Sequence, residues 1–266
     1  MGLSRDLNEA RQAYRRGDLT ASRRAHSSAG AEERHQHATG QYIKSAVYGG
    51  LDGIITTFAV VAGVAGADLS SGIVLILGFA NLIADGLSMA VGDYLSTRSE
   101  QEYHRAERRR EEWEVEHYPE GEIREMVELY VAKGMSEEDA RTIVEIFARH
   151  KKAWVDVMMI EELGIVGSDE SPIRNALVTF FSFGFFGFVP LVAFVVAHVT
   201  PLGANTFVLA TLLTALTLFV LGAVKVRITG RNWIKSGLEM LLVGGIAAVA
   251  AYAIGDLLGG LAQGSP

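Results

Sequence analysis

The chain has 266 residues, no cysteine and a formal net charge of −7, and 49% of its residues are hydrophobic. The absence of cysteine excludes a disulfide framework and a thiolate metal site. Charge is unevenly distributed, because residues 1–41 and 98–175 are rich in charged side chains while long blocks elsewhere carry almost none. This partition is typical of a membrane protein with an aqueous part, and it excludes one large globular core.

A polar tail precedes five apolar blocks. The tail, residues 1–41, mixes Arg, Ala, Ser and His with few large apolar residues, which predicts disorder or weak helix. It has no apolar run before a cleavage site, so we expect no signal peptide and expect the first span to direct insertion. Each block has enough residues to cross a hydrocarbon core of about 30 Å as a helix. The predicted spans are 45–67, 72–97, 176–198, 203–226 and 237–260.

The basic residues predict an orientation for these spans. The connections at 68–71 and 199–204 contain no Lys or Arg, whereas the other connections hold nearly all of them. The positive-inside rule therefore puts the N-terminus and the insert after span two in the cytoplasm, and the C-terminus outside. The expected segments are a tail at 1–41, spans one and two within 42–97, a cytoplasmic helical domain at 98–170, and spans three to five within 171–266.

The insert is predicted to contain three helices. No glycine or proline lies between Gly92 and Pro119, so span two should continue as one helix from lipid into water. A second helix should begin at Glu122, and a third, opened by a capping box at Ser136, should reach about Ile165. The predicted fold class is an all-α membrane protein with five transmembrane helices and a three-helix cytoplasmic insert between spans two and three.

Acidic residues occur inside the first two predicted spans. Asp52 lies in the first, and Asn81, Asp85, Met89 and Asp93 follow at four-residue intervals in the second, so the four are expected to share one helix face. A carboxylate at mid-membrane costs about 2.5–3.5 kcal/mol, so these groups must face the bundle interior or water. Because no Lys or Arg lies within these spans, a cation pathway is favoured over an anion pathway and over buried structural acids. Oxygen and thioether ligands suit ferrous iron or manganese better than sodium.

Glycines are frequent in the same two spans. Gly49 and Gly53 form a Gly-x-x-x-Gly pair in the first span. Such a pair lets two helices approach closely. One place where such a close approach could occur is the interface of a dimer.

The insert offers a second set of candidate metal ligands. Glu-x-x-Glu occurs twice, each pair points one way along its helix, and the turn at 119–121 can fold the pairs together. The third helix adds two methionines and a glutamate. Oxygen and thioether ligands from three helices would form a cage for ferrous iron or similar ions. The candidates are Glu111, Glu114, Glu122, Glu125, Met158, Met159 and Glu162.

Two alternatives compete with this interpretation of the insert. The arginines at 105 and 108–110 alternate with glutamates, and such a run usually means a solvated helix with salt bridges. The pair Glu114-x-x-His117 also fits half of a ferritin-like di-iron site, which needs a second Glu-x-x-His in the same bundle. The only other one is Glu32-x-x-His35, in the tail.

The segments GGLDGIITTFAVVAGVAGA and ADGLSMAVGDYLSTRSEQEY resemble the first two spans of the vacuolar iron transporter family. The resemblance extends from about Tyr42 to Leu261. It implies a homodimeric, proton-coupled exporter of ferrous iron and other divalent metals (Mn, Co, Zn) whose path lies between the subunits. It also implies that Asp52 and Met89 line the path and that the seven insert residues bind metal.

Asp85 and Asp93 are then candidates for proton or second-ion positions. The expected partners are divalent metal ions, protons, the lipid bilayer and a second subunit, with no nucleic acid, no cofactor beyond the metal and no enzymatic activity. The expected location is a bacterial inner membrane, or a vacuolar-type membrane in a eukaryote. A divalent cation channel and a membrane-anchored iron-storage or ferroxidase protein remain as alternative functions.

Overall fold

The computed structural model describes residues 7–27, 37–167, 170–200, 205–229 and 232–263. Within these ranges it contains ten helices and no strand, and the chain divides into two units, 1–41 and 42–266. The helices are α1 (Leu7–Arg16), α2 (Leu19–Ser27), α3 (His37–Gly66), α4 (Ser71–His117), α5 (Pro119–Ala132), α6 (Glu137–Ala148), α7 (Lys151–Glu161), α8 (Pro172–Val199), α9 (Thr206–Thr229) and α10 (Trp233–Gln263).

The first unit contains two short helices where composition predicts disorder or weak helix. Gly17 separates α1 from α2 with a φ of +64°, a conformation that glycine adopts without steric cost. Asp18 follows, and its Oδ1 accepts hydrogen bonds from the amides of Thr20 at 2.9 Å and Ala21 at 3.0 Å. This is an N-cap, so the local sequence both ends α1 and begins α2.

Among the described residues, five helices are long and apolar enough to span a membrane, which confirms the predicted number of spans. They are Tyr42–Gly66, Ser71–His117, Pro172–Val199, Thr206–Val224 and Trp233–Gly260. The second of these, α4, has 47 residues. At 1.5 Å per residue it is about 70 Å long, more than twice a hydrocarbon thickness of about 30 Å. The uninterrupted helix predicted from lipid into water is therefore confirmed.

In the membrane region α8 packs against both α3 and α4. Phe183 of α8 is fully buried, and its backbone fills the space that a Cβ at Gly53 of α3 would need. Its ring lies 3.3 Å from the Cβ position of Gly86 on α4. A Cβ at Gly49 would lie 2.6 Å from the carbonyl oxygen of Thr179. The glycine pair of the first span thus makes a contact inside one protomer, where the sequence suggested a dimer interface.

The insert packs α5 and α7 against the distal half of α4, and α6 packs against α5 and α7; the apolar core between them includes Trp154 and Val144. The predicted third helix is two helices in the structure. The amides of Arg149 and His150 donate to carbonyls three residues back, at 3.3 and 2.7 Å, and this tight turn separates α6 from α7. The break allows α6 to pack on α5 while α7 packs on α4. One straight helix reaching Ile165 could not make both contacts.

The predicted boundary between the second and third helices of the insert is confirmed. Gly134 has a φ of +98°, which suits the residue that follows a helix C-terminus. The amide of Asp139 donates to the Oγ of Ser136 at 3.1 Å, and that Oγ lies 2.6 Å from Asp139 Oδ2. This reciprocal contact caps the first turn of α6.

Candidate metal-transport site

Three glutamates from different parts of the insert meet at one point. Glu111 comes from α4, Glu122 from α5 and Glu162 from the end of α7, and each offers a carboxylate oxygen within 4.8 Å of the other two. Glu111 and Glu122 are only 1% and 5% exposed, whereas Glu162 is open to solvent. The Oε2 of Glu111 is buried and has no hydrogen-bond partner. Because an unpaired buried carboxylate oxygen is costly, this arrangement suits a bound cation.

The turn between α4 and α5 brings these carboxylates together. The amide of Tyr118 closes α4 by donating to the carbonyl of Glu114 at 2.8 Å, and Pro119 opens α5 at once. Proline is favoured in the first turn of a helix because its missing N–H costs nothing there. The chain therefore reverses over one residue, and Glu122 in the first turn of α5 faces Glu111 in the last turns of α4. The predicted folding together of the two Glu-x-x-Glu pairs is confirmed for these two members.

The three carboxylates lie outside the apolar half of α4, and the charges of Glu111 and Glu162 raise the pKa values of neighbours in the cluster. Burial raises the pKa of Glu111 to about 7, and the charge of Glu162 adds to the effect. Burial likewise raises the pKa of Glu122 to about 7, with a further contribution from Glu111. Glu162 is exposed as a whole residue, but its carboxylate lies beside the two buried ones, and this partial desolvation raises its pKa, with a further contribution from the charge of Glu125. At neutral pH the cluster therefore holds protons that a divalent cation can displace.

Within the described part of the chain, Arg110 is the basic residue that pairs with this cluster, a role that its place in a run of alternating charges does not predict. Its Nη2 lies 2.9 Å from Glu111 Oε1 and 2.9 Å from Glu107 Oε2, and its Nη1 lies 3.5 Å from Glu114 Oε2. The signal in the sequence is its spacing, since it lies beside Glu111 and four residues before Glu114. Arg110 reduces the negative potential that the glutamates create.

The other four predicted ligands differ in how close they lie to the cluster of Glu111, Glu122 and Glu162. Glu114 and Glu125 act on the cluster through their charges. Met158 and Met159 are buried in the apolar core of the insert. The amide of Glu162 donates to the carbonyl of Met158 at 3.0 Å, so Met158 lies one helical turn before Glu162.

The two alternatives for the insert can also be compared with the structure. Salt bridges do occupy a neighbouring face of α4, where Arg108 pairs with Glu112 at 3.1 Å and with Asp156 at 2.6 Å. Glu111 takes part in this interpretation through only one of its oxygens, because Arg110 pairs with Oε1 while the buried Oε2 has no hydrogen-bond partner within the described residues. For the di-iron alternative, His117 stacks on Trp113 and its Nδ1 contacts the Trp113 carbonyl. The second pair of that motif, at 32 and 35, lies outside the described residues.

In the membrane region the structure brings α3 and α4 together at their polar side chains. Thr56 Oγ1 donates to the carbonyl of Asp52 at 2.8 Å, and Asn81 Nδ2 donates to Thr56 Oγ1 at 3.4 Å. Asp52 lies one turn before Thr56 on α3 and Asp85 lies one turn after Asn81 on α4, so the contact between Thr56 and Asn81 brings the two acids to neighbouring positions. Met89 is half-buried beside the apolar core. These groups line one side of the protomer at the junction of α3 and α4.

Asp93 does not share that environment, although it continues the same four-residue row. Four residues of an α-helix turn through about 400°, so each step in the row rotates by about 40°. The row therefore winds around α4, and Asn81 contacts α3 while Asp93 contacts α8. Asp93 Oδ2 accepts a hydrogen bond from Thr179 Oγ1 at 2.5 Å. The prediction that these residues share one helix face is therefore correct for adjacent members of the row and wrong for its two ends.

Comparison with known proteins identifies the family of this arrangement. The family model described as "VIT family" matches residues 43–256, which include the apolar parts of all five spans and the insert. The chain belongs to the VIT family. A VIT-family protein named vacuolar iron transporter from Toxoplasma gondii is 46% identical over 96% of this chain and 89% of its own.

Other relatives carry similar names. The vacuolar iron transporter of Plasmodium falciparum is 35% identical over 96% of this chain and 97% of its own. Vacuolar iron transporter 1 of Arabidopsis thaliana is 30% identical over 85% of this chain and 89% of its own. The resemblance found in the first two spans is thus confirmed over most of the chain. The chain is an integral membrane protein, and these relatives are named as iron transporters and not as enzymes.

Proposed function

We propose that the protein exports ferrous iron and other divalent transition metals from the cytoplasm in exchange for protons. Metal is collected at the carboxylate cluster of Glu111, Glu122 and Glu162, with Glu114, Glu125, Met158 and Met159 near it. It then passes Asp52, Asp85 and Met89. The names of the relatives support iron as a substrate and favour a vacuolar-type membrane, the second of the two locations expected from the sequence.

The observation that carries the collecting role is the buried, unpaired oxygen of Glu111 among converging carboxylates. A hydrogen-bond network would have satisfied that oxygen if the cluster were only structural. Carboxylate oxygens bind manganese and ferrous ions, and buried thioethers close by favour the softer of these cations. The ion here is the transported substrate, so moderate affinity suits it better than a closed cage.

The pair of Asp52 and Asp85 supports exchange with protons. Two carboxylates at neighbouring positions in an apolar region are stabilised either by a divalent cation or by protons. The same pair can therefore release metal when protons arrive and release protons when metal arrives. This alternation is what coupled exchange requires.

The protomer surface supports a homodimer with the path between its subunits. The acids of α3 and α4 are only half-buried within one protomer. Half-buried carboxylates at that depth cannot face lipid, because each would cost about 2.5–3.5 kcal/mol at the membrane centre. A second subunit that covers this side would enclose the path.

Metal uptake into proteoliposomes tests the path. Asp52→Asn removes the charge with little change of shape and should lower proton-driven uptake of ferrous iron or manganese by more than about tenfold. Asp68→Asn is the matched control, because Asp68 lies in the exposed connection after α3. Uptake that is unchanged in Asp52→Asn would contradict the assignment.

The same vesicles separate the alternative functions. An exchanger needs the pH gradient, whereas a channel conducts metal without one, and a ferroxidase produces a ferric absorbance change. For the collecting site, Glu111→Gln should weaken metal binding by the full-length protein in calorimetry. Glu112→Gln, whose carboxylate pairs with Arg108 on a neighbouring face, should bind as the wild type does. Equal binding by both variants would remove the cluster from the mechanism.

A further inference from the structure

A row of hydrogen bonds crosses from α4 to α8 where α4 leaves the membrane. Asp93 Oδ2 accepts from Thr179 Oγ1 at 2.5 Å, and Asp93 Oδ1 accepts from Thr97 Oγ1 at 3.5 Å. Asn175 Nδ2 donates to Thr97 Oγ1 at 3.4 Å. Each oxygen of the Asp93 carboxylate therefore already has a donor from a threonine.

The row continues to the segment that returns from the insert. Asn175 Nδ2 also donates to Glu170 Oε2 at 2.9 Å, and Gln101 Nε2 donates to the carbonyl of Glu170 at 2.6 Å. Asp93, Thr97 and Gln101 are four residues apart on α4, and Asn175 and Thr179 are four apart on α8. We call this set of six residues the polar clamp: Asp93, Thr97, Gln101, Glu170, Asn175 and Thr179.

Burial strengthens the shortest of these hydrogen bonds, the one from Thr179 to Asp93. Thr97, Asn175 and Thr179 are all buried, so water does not compete for their polar groups. The 2.5 Å contact is in the range of about 2.5–2.7 Å expected for a hydroxyl that donates to a charged carboxylate. In a low-dielectric region such a bond is stronger than at the surface.

Thr179 also fixes the position of α3. Its hydroxyl binds Asp93 of α4, while its carbonyl lies 2.6 Å from the position that a Cβ at Gly49 of α3 would take. Gly49 is one turn from Asp52. The same residue of α8 therefore contacts both helices that carry the acids of the path, one with its side chain and the other with its backbone.

We propose that Asp93 is a positioning residue, which acts through the polar clamp to hold α4 at the rotation that presents Asp85 and Met89 to Asp52. Asp93 carries neither the metal nor the proton. This inference rests on the proposed transport function and assigns Asp93 a role different from that of Asp52 and Asp85. Through Thr179 of α8, the polar clamp sets the position of α4, which carries Asp85, relative to α3, which carries Asp52.

Four variants of the full-length protein test the clamp by metal uptake in proteoliposomes. Asp93→Asn keeps an oxygen that accepts from Thr179 and should retain uptake within about twofold of the wild type. Thr179→Val removes the donor at constant shape and should lower the maximal rate by about tenfold with little change in the KM for metal, which corresponds to the loss of one strong hydrogen bond. Thr179→Ser restores the hydroxyl and should restore the rate. Ser96→Ala is the control, because Ser96 is exposed and makes no side-chain hydrogen bond within the described ranges.

A distance measurement provides a readout that does not depend on transport. The chain has no native cysteine, so Lys44→Cys on α3 and Glu100→Cys on α4, both exposed, accept spin labels selectively. Labelled protein is diluted with unlabelled protein so that only distances within one protomer are measured. Thr179→Val should shift or broaden the distance distribution, whereas Ser96→Ala should leave it unchanged.

Two results would overturn the clamp. Loss of uptake in Asp93→Asn as large as in Asp52→Asn would make Asp93 an ion or proton carrier. A wild-type rate and a wild-type distance distribution in Thr179→Val would remove the hydrogen bond from any positioning role. If vesicles with the wild-type protein take up no metal, the proposed transport function is wrong. The distances between the spin labels then test by themselves whether the polar clamp holds α4 in position.

Discussion

Glu111 and Glu122 combine deep burial with a raised pKa in a part of α4 and α5 that lies outside the membrane. The unfolded chain exposes both carboxyl groups, so their unfolded pKa is close to the ordinary value of about 4.3. In the folded protein both have a pKa of about 7. Between these limits the folded state binds more protons than the unfolded state, and its stability falls as pH rises.

This difference predicts that the thermal stability of the insert falls as pH is raised from 5 to 8. Glu122→Gln mimics the protonated side chain, so it should flatten the dependence and raise the melting temperature at pH 8 by several degrees. The buried Trp154 gives a fluorescence signal for the transition. Glu120→Gln, an exposed neighbour on α5, should keep the wild-type dependence. A stability that rises with pH in the wild type would contradict the burial of these groups.

At the scale of the element, the sequence predicts what depends on local rules and misses what depends on distant partners. The continuity of α4 follows from the lack of glycine and proline after Gly92, and the start of α6 follows from Ser136. No glycine or proline marks the break between α6 and α7. The break arises because α6 packs on α5 while α7 packs on α4. The hydrogen bond from Thr179 to Asp93 joins residues 86 positions apart. No local pattern could have paired them.

The contact between α3 and α8 predicts a sharp difference between two glycines. A Cβ at Gly53 would overlap the backbone of Phe183, so Gly53→Ala should force the helices apart and reduce the yield of monodisperse protein severely. Gly92 has open space around its Cβ position on α4. Gly92→Ala should be neutral or stabilising by up to about 1 kcal/mol, since alanine favours helix. Size-exclusion profiles and melting temperatures in detergent measure both, and equal behaviour would contradict the α3–α8 packing.

At the scale of the whole molecule, five candidate spans among the described residues predict that Tyr42 and Gly260 lie on opposite sides of the membrane, because an odd number of crossings separates them. The candidate site could be predicted as a set of residue types, and the resemblance to the family supplied their roles. The sequence could not predict which carboxylates converge. That depends on the reversal at Tyr118 and on the docking of α7 against α4, which are properties of the assembled insert.

Single-cysteine labelling tests the orientation of the whole molecule. Ser70→Cys in the connection between α3 and α4 and Glu145→Cys on α6 are both exposed positions in a chain without native cysteine. A membrane-impermeant maleimide added to intact cells that express the protein in the plasma membrane should label Ser70→Cys and leave Glu145→Cys unlabelled until the cells are opened. The reverse pattern would invert the proposed direction of transport.

The length of α4 has a mechanical consequence. About 20 residues of α4 project beyond Thr97, so the helix acts as a lever arm of about 30 Å outside the membrane. A tilt of about 10° at the membrane boundary would move its far end by about 5 Å, by the same helical rise. The insert packs on this far half of α4. A small reorientation of α4 among the spans would therefore be amplified into a displacement of the insert, and of the carboxylates it holds, relative to the membrane.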